Sequence, residues 1–198
     1  WMNAGIFGAI FLLTLFLQQA QGYSALEAGV RTMVWTGCTM ICAPLAGLAV
    51  GRYGSRKVLA CGMTAQALAL AGFAVLIATA GADVPFLWQA PLMMLAGAGM
   101  GLSFTPLAHG VMTSVPEQSS GEASGISNAT RELGGVFGIA VCGLIFQSGA
   151  AITTPADFGA HLVPALWSGA GMIVFGIAFA LLLAGTWLAG RTLRPAEA

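Results

Sequence analysis

Six stretches of this chain are apolar for long enough to cross a lipid bilayer, and short polar links separate them. A helix crosses the hydrocarbon core with about 20 mostly apolar residues, since each residue rises about 1.5 Å. The predicted spans are residues 2–19, 25–50, 58–80, 86–113, 122–148 and 161–188. Only 7% of the 198 residues are charged. A water-facing surface needs about 25%, so a soluble domain is excluded. The fold class predicted is all-α integral membrane, with six transmembrane helices in a lipid bilayer. Formal net charge is zero, so the basic footprint of a nucleic-acid partner is absent.

The links carry recognisable punctuation. Gln21, Gly22, Tyr23 and Ser24 close the first span as a turn. Ser24 then reads as an N-cap, with Glu27 three residues on completing a capping box. Residues 81–85 and 114–121 form further links, and 149–159, with Pro155 and Asp157, form the last loop. A short polar tail covers 191–198.

The most basic link runs from Gly51 to Lys57 and holds Arg52, Arg56 and Lys57. Links on its side, with their flanks, add Arg131, Arg191 and Arg194, whereas the opposite side has only Arg31. Cytoplasmic loops collect Lys and Arg. The expectation is therefore a multi-pass protein of the cytoplasmic membrane with both ends of this segment inside.

Few residues are equipped for chemistry. Cys38 and Cys42 stand one helical turn apart, but no His, Asp or Glu is near to complete a metal site. No Ser/His/Asp set, paired aspartates or HExxH motif occurs, so no enzyme, cofactor or metal is expected. Glu27 and Arg31 have the spacing of an ion pair, either an interfacial pair or a gating contact. Gly97 and Gly101 form a GxxxG pair suited to close helix packing. The surrounding glycines are no dinucleotide loop, because the third position would be Leu102. Gly134 and Gly138 share a helical face with Arg131 and are also packing candidates. Asn128 and Arg131 read either as the polar start of a packed helix or as cavity-lining groups. Thr105, beside Pro106, faces a substrate path or bonds locally. Gln18 and Gln19 bond between helices or face the same path.

Three stretches carry a family resemblance. They are residues 21–29, residues 43–59, and residues 121–138 with Asn128, Arg131, Leu133, Gly134 and Gly135. In them the chain resembles the C-terminal half of a major facilitator superfamily transporter, and within it the fourteen-span drug:proton antiporter branch. The resemblance implies two inverted three-helix repeats, alternating access about a midplane cavity, and a missing N-terminal half as partner. The opening Trp1, in place of Met, fits a fragment or a processed chain. The resemblance also implies small amphipathic or cationic substrates, exported in exchange for protons, with the proton-coupling groups in the missing half. The family's loop signature starts at Gly47, and Arg52, Gly54, Arg56 and Lys57 match it. Gly51 stands where the signature has an aspartate, which implies a degenerate copy without its gating charge, left as a tight turn at Gly51 and Gly54. Two alternatives stay open: a same-fold transporter of one specific metabolite, and a stand-alone six-helix membrane scaffold.

Overall fold

Each apolar run forms a helix, because in lipid a helix is the segment that pairs its own backbone groups. The computed structural model describes residues 1–81, 83–148 and 154–192, and no strand occurs among them. Ala82 of the third link, residues 149–153 of the last loop, and Arg194 of the tail lie outside the described residues. Helix α1 (Met2–Leu15) continues through a π-helical turn, Phe16–Ala20. Helices α2 (Ala25–Tyr53), α3 (Ser55–Ala80) and α4 (Phe86–Thr113) follow. A 3₁₀ turn, Glu117–Ser119, leads into α5 (Ser120–Gln147), and α6 (Pro155–Thr192) is last. All six are long and apolar enough to cross a membrane.

Local chemistry sets the ends. The predicted capping box is present: the Glu27 amide donates to Ser24 Oγ at 3.3 Å, and the Ser24 amide donates to Glu27 Oε2 at 2.9 Å. The last helix starts at Pro155, earlier than the predicted 161. Its start is fixed by Thr154 and Asp157, whose side chains accept from each other's amides at 3.2 and 2.9 Å. A proline in the first turn removes no helical hydrogen bond. Residues 155–159 therefore belong to the helix and not to the loop.

The basic link is also shorter than expected. Gly51 is helical, not a turn residue, because α2 runs on to Tyr53. The single non-helical residue is Gly54, at φ 85° and ψ 150°, a region open to glycine and strained for other residues. Arg52 thus lies in the last turn of α2, where a cation meets the negative end of the helix dipole. Arg56 and Lys57 lie in the first turn of α3, where the dipole disfavours them.

The helices pack as two triplets that exchange their middle members. Helix α2 packs chiefly on α4, α5 packs chiefly on α1, and α3 meets both α4 and α6. The first three helices thus find their partners in the last three, as two interlocked repeats require. The core lies between α1, α3 and α6, around Leu12, Phe16, Leu70, Phe73, Leu162 and Ile173. Lipid supplies no hydrophobic drive between helices, so close approach must supply contact. A Cβ on Gly62 of α3 would stand 2.8 Å from the Gly99 carbonyl oxygen of α4, closer than real contacts allow. Buried amides are paired across the same seams. Gln66 Nε2 donates to Ser103 Oγ at 3.0 Å, and Ser103 Oγ donates to the Gly99 carbonyl at 2.8 Å. At the end opposite the basic link, Gln89 Nε2 reaches Gln21 Oε1 at 3.1 Å and the Val84 carbonyl at 2.8 Å.

The two exchanged helices remain largely uncovered. α2 buries only Ala28, Trp35 and Ala46 among its residues. Met33, Met40, Ile41 and Leu48 of α2, and Ile126, Leu133 and Phe137 of α5, are exposed.

Candidate substrate hollow

Helices α4 and α5 touch lightly, and a hollow of about 140 Å³ opens between them. Its two walls differ. On α5, Ser124, Ser127, Asn128 and Arg131 recur at helical spacing and form a polar stripe. On α4, Phe104, Leu107, Val111 and Met112 do the same and form an apolar one. Asn128 and Arg131 therefore share one site.

Arg131 is its central group. Counting from Ser120, it stands roughly 17 Å along a helix roughly 42 Å long, beside Asn3 at the start of α1. Its guanidinium carbon lies 4.3 Å from the centre of the Phe104 ring, a cation–π contact across the hollow. Its backbone carbonyl accepts from Asn3 Nδ2 of α1 at 3.3 Å. Arg131 Nε and Asn3 Oδ1 are both buried without a hydrogen-bond partner. Beyond Arg131 a second hollow, about 240 Å³, is lined by Asn3, Leu59, Met63 and Gly134. Arg131 and Leu107 line both spaces, so the guanidinium forms part of the partition.

The other candidates lie elsewhere. Gln18 and Gln19 sit in the π-helical turn, one partly buried and one exposed. Asn3 marks the other end of α1, about 22 Å away along the axis, so the glutamines do not join the hollow. Thr105 bonds across to α2: its hydroxyl donates to the Ala43 carbonyl at 3.0 Å, with a longer approach of 3.5 Å to the Gly101 carbonyl. Gly47 faces the same threonine: a Cβ placed on it would stand 3.8 Å from Thr105 Cγ2.

Glu27 and Arg31 do not close the expected ion pair. The Glu27 carboxylate is held by the Ser24 amide and hydroxyl, both at 2.9 Å. Arg31 lies over the Tyr23 ring at 3.6 Å and donates to the Glu27 backbone carbonyl at 3.5 Å. Two better local partners separate the charges.

The packing glycines differ among themselves. Gly97 and Gly101 lie directly against the α2 backbone at Trp35 and Thr39, and Gly138 against the α1 backbone at Ala4. Gly134 is looser: a Cβ placed on it would come no nearer than 3.7 Å, to Asn3 Cβ. Thr39 adds a bond that the sequence did not announce, donating to the Gly97 carbonyl at 3.0 Å. Phe104 was also missed. Trp35 lines a smaller space with Thr14, Thr32, Thr36 and Met93, and its Nε1 has no partner. No cluster of metal-ligating side chains occurs among the described residues.

Comparison with known proteins accounts for this architecture. Residues 1–139 match the family model described as Major Facilitator Superfamily. The tetracenomycin C resistance and export protein of Streptomyces glaucescens is 29% identical over 147 residues, covering 74% of this chain and 27% of that protein. An uncharacterized transporter of Escherichia coli, YebQ, is 36% identical over 139 residues, covering 70% and 30%. The multidrug resistance protein Stp of Mycobacterium tuberculosis is 31% identical over 143 residues, covering 72% and 26%. This chain thus matches about a quarter to a third of the length of these relatives. Six apolar helices in two interlocked triplets, and a family model that matches well over half of the chain, make it a member of the Major Facilitator Superfamily.

Proposed function

We infer that this chain is the C-terminal six-helix half of a secondary exporter of small amphipathic compounds. The observation that carries the reading is the hollow with one polar and one apolar wall, which suits a molecule that is itself two-sided. Relatives named for antibiotic export and multidrug resistance support export as the direction. The uncovered apolar faces of α2 and α5 suit an N-terminal half packed against them, completing a cavity for alternating access. The basic link between α2 and α3 suits the cytoplasmic side of the cell membrane. Proton exchange is proposed from the likeness of residues 121–138 to the drug:proton antiporter branch, with the coupling groups in the N-terminal half.

The test uses the full-length protein in inverted membrane vesicles. Substrate accumulation should stop when a protonophore collapses the proton gradient. Accumulation that persists without the gradient sinks the proton-driven part. A competition panel with one narrow substrate would instead favour a specific metabolite transporter.

A further inference from the structure

The hollow between α4 and α5 holds a cation without a counter-charge. Among the described residues no acidic side chain pairs with Arg131, and no hydrogen bond engages its guanidinium. Glu132, its neighbour in sequence, is exposed and lines neither adjoining space. The guanidinium carbon sits over the Phe104 ring. A ring offers no conventional acceptor, so the N–H groups remain to be satisfied.

We propose that this hollow binds the anionic head of an amphipathic molecule in transit, with Arg131 as the counter-charge. The proposal rests on the exporter reading above and names its substrate class. A carboxylate matches the guanidinium edge with two parallel hydrogen bonds. Ser127 and Asn128 lie along the same stripe and offer donors to the remaining oxygen lone pairs. Leu107, Val111 and Met112 give the apolar body a wall. A volume of about 140 Å³ is close to that of a cavity known to hold one benzene ring, so a benzoate-sized head fits. The likeness to the antiporter branch implied cationic substrates as well. A cationic head in this hollow meets a like charge at low dielectric and is disfavoured.

The test uses the purified full-length protein and three probes of one shape: 4-butylbenzoate, neutral 4-butylbenzamide and 4-butylphenyl-trimethylammonium. Equilibrium binding tests the hollow, and uptake into proteoliposomes tests the exporter reading separately. Wild type should bind the benzoate about tenfold or more tighter than the benzamide, the size of effect one charge-assisted pair gives. Arg131→Gln should abolish that preference by weakening benzoate far more than benzamide, with a cooperative thermal unfolding transition showing that the variant is folded. Arg131→Lys, which keeps the charge but not the planar fork, should retain part of the preference. The proposal is overturned if wild type shows no benzoate preference. Equal losses for all probes in Arg131→Gln also overturn it, because they place Arg131 in the scaffold or against a carboxylate elsewhere in the protein. Anion-selective binding without uptake leaves the hollow standing and removes the exporter reading.

Discussion

Changing Gly101 to alanine should push α2 and α4 apart. The new Cβ would stand 2.8 Å from the Thr39 carbonyl oxygen and 3.0 Å from both the Ala43 nitrogen and Cys42 Cβ. None of these atoms lies at the end of a flexible side chain, so the helices themselves must yield. An ordinary contact is about 3.5 Å, which asks for a separation of about 0.7 Å. Two hydrogen bonds cross the same seam, Thr39 to the Gly97 carbonyl and Thr105 to the Ala43 carbonyl, both at 3.0 Å. The same separation stretches each to about 3.7 Å, beyond hydrogen-bond range. Each loses about 0.6 kcal/mol, and overpacking costs about 1–3 kcal/mol. Alanine returns up to about 1 kcal/mol of helix propensity. The net loss is about 1–3 kcal/mol, or a Tm lower by several degrees, read by thermal unfolding of the full-length protein in detergent. Gly134→Ala is the control, because its Cβ would meet only an ordinary contact at 3.7 Å and Tm should hold or rise. A Gly101→Ala variant as stable as wild type, or a Gly134→Ala variant that falls as far, would refute the reasoning.

Three further outcomes follow from the same geometry. Gly54→Ala should cost about 1–3 kcal/mol, since φ 85° with ψ 150° suits glycine alone, whereas Gly51→Ala, helical and in open space, should hold or raise Tm. Ser103→Ala should lower Tm further than Gln66→Leu. The first strands a buried amide and costs about 1–3 kcal/mol; the second removes that amide together with its already unpartnered Oε1. Ser24→Ala should cost about 1 kcal/mol by removing the acceptor for the Glu27 amide, seen as faster amide exchange in the first turn of α2.

The spans and the capping box were readable because they depend on neighbours in sequence: apolar run length for the first, Ser24 and Glu27 three residues apart for the second. Thr154, Pro155 and Asp157 were just as local, yet proline and aspartate read as loop until the reciprocal cap was seen. Gly51 misled for a related reason. Two glycines in a basic link suggest a turn, but one residue with positive φ suffices to reverse direction, and the helix absorbs the other. Other features depend on partners far apart in the chain. Nothing beside Thr105 in sequence indicates that its hydroxyl meets Ala43, nor that Phe104 will face Arg131. The polar stripe of α5 was visible as a pattern, but its meaning depended on what α4 set against it. The Glu27 and Arg31 spacing allowed a pair, and Tyr23, from the preceding turn, took the guanidinium instead.

The exchange of middle helices also governs the order in which this protein can be made. Asn3 donates to a carbonyl 128 residues later, and Ala4 beside it meets Gly138. At about 5–20 residues per second, α1 leaves the ribosome roughly 6 to 26 s before α5 exists to receive it. During that interval its small-residue face is without α5. Insertion of α1 therefore precedes the closing of its seam with α5, and the seams that α6 makes with α1, α3 and α5 close later still. A bulky residue at Gly8, whose Cβ would crowd Cys142, would then act during biogenesis. It would appear as chain lost to proteolysis before any mature protein could be tested for stability.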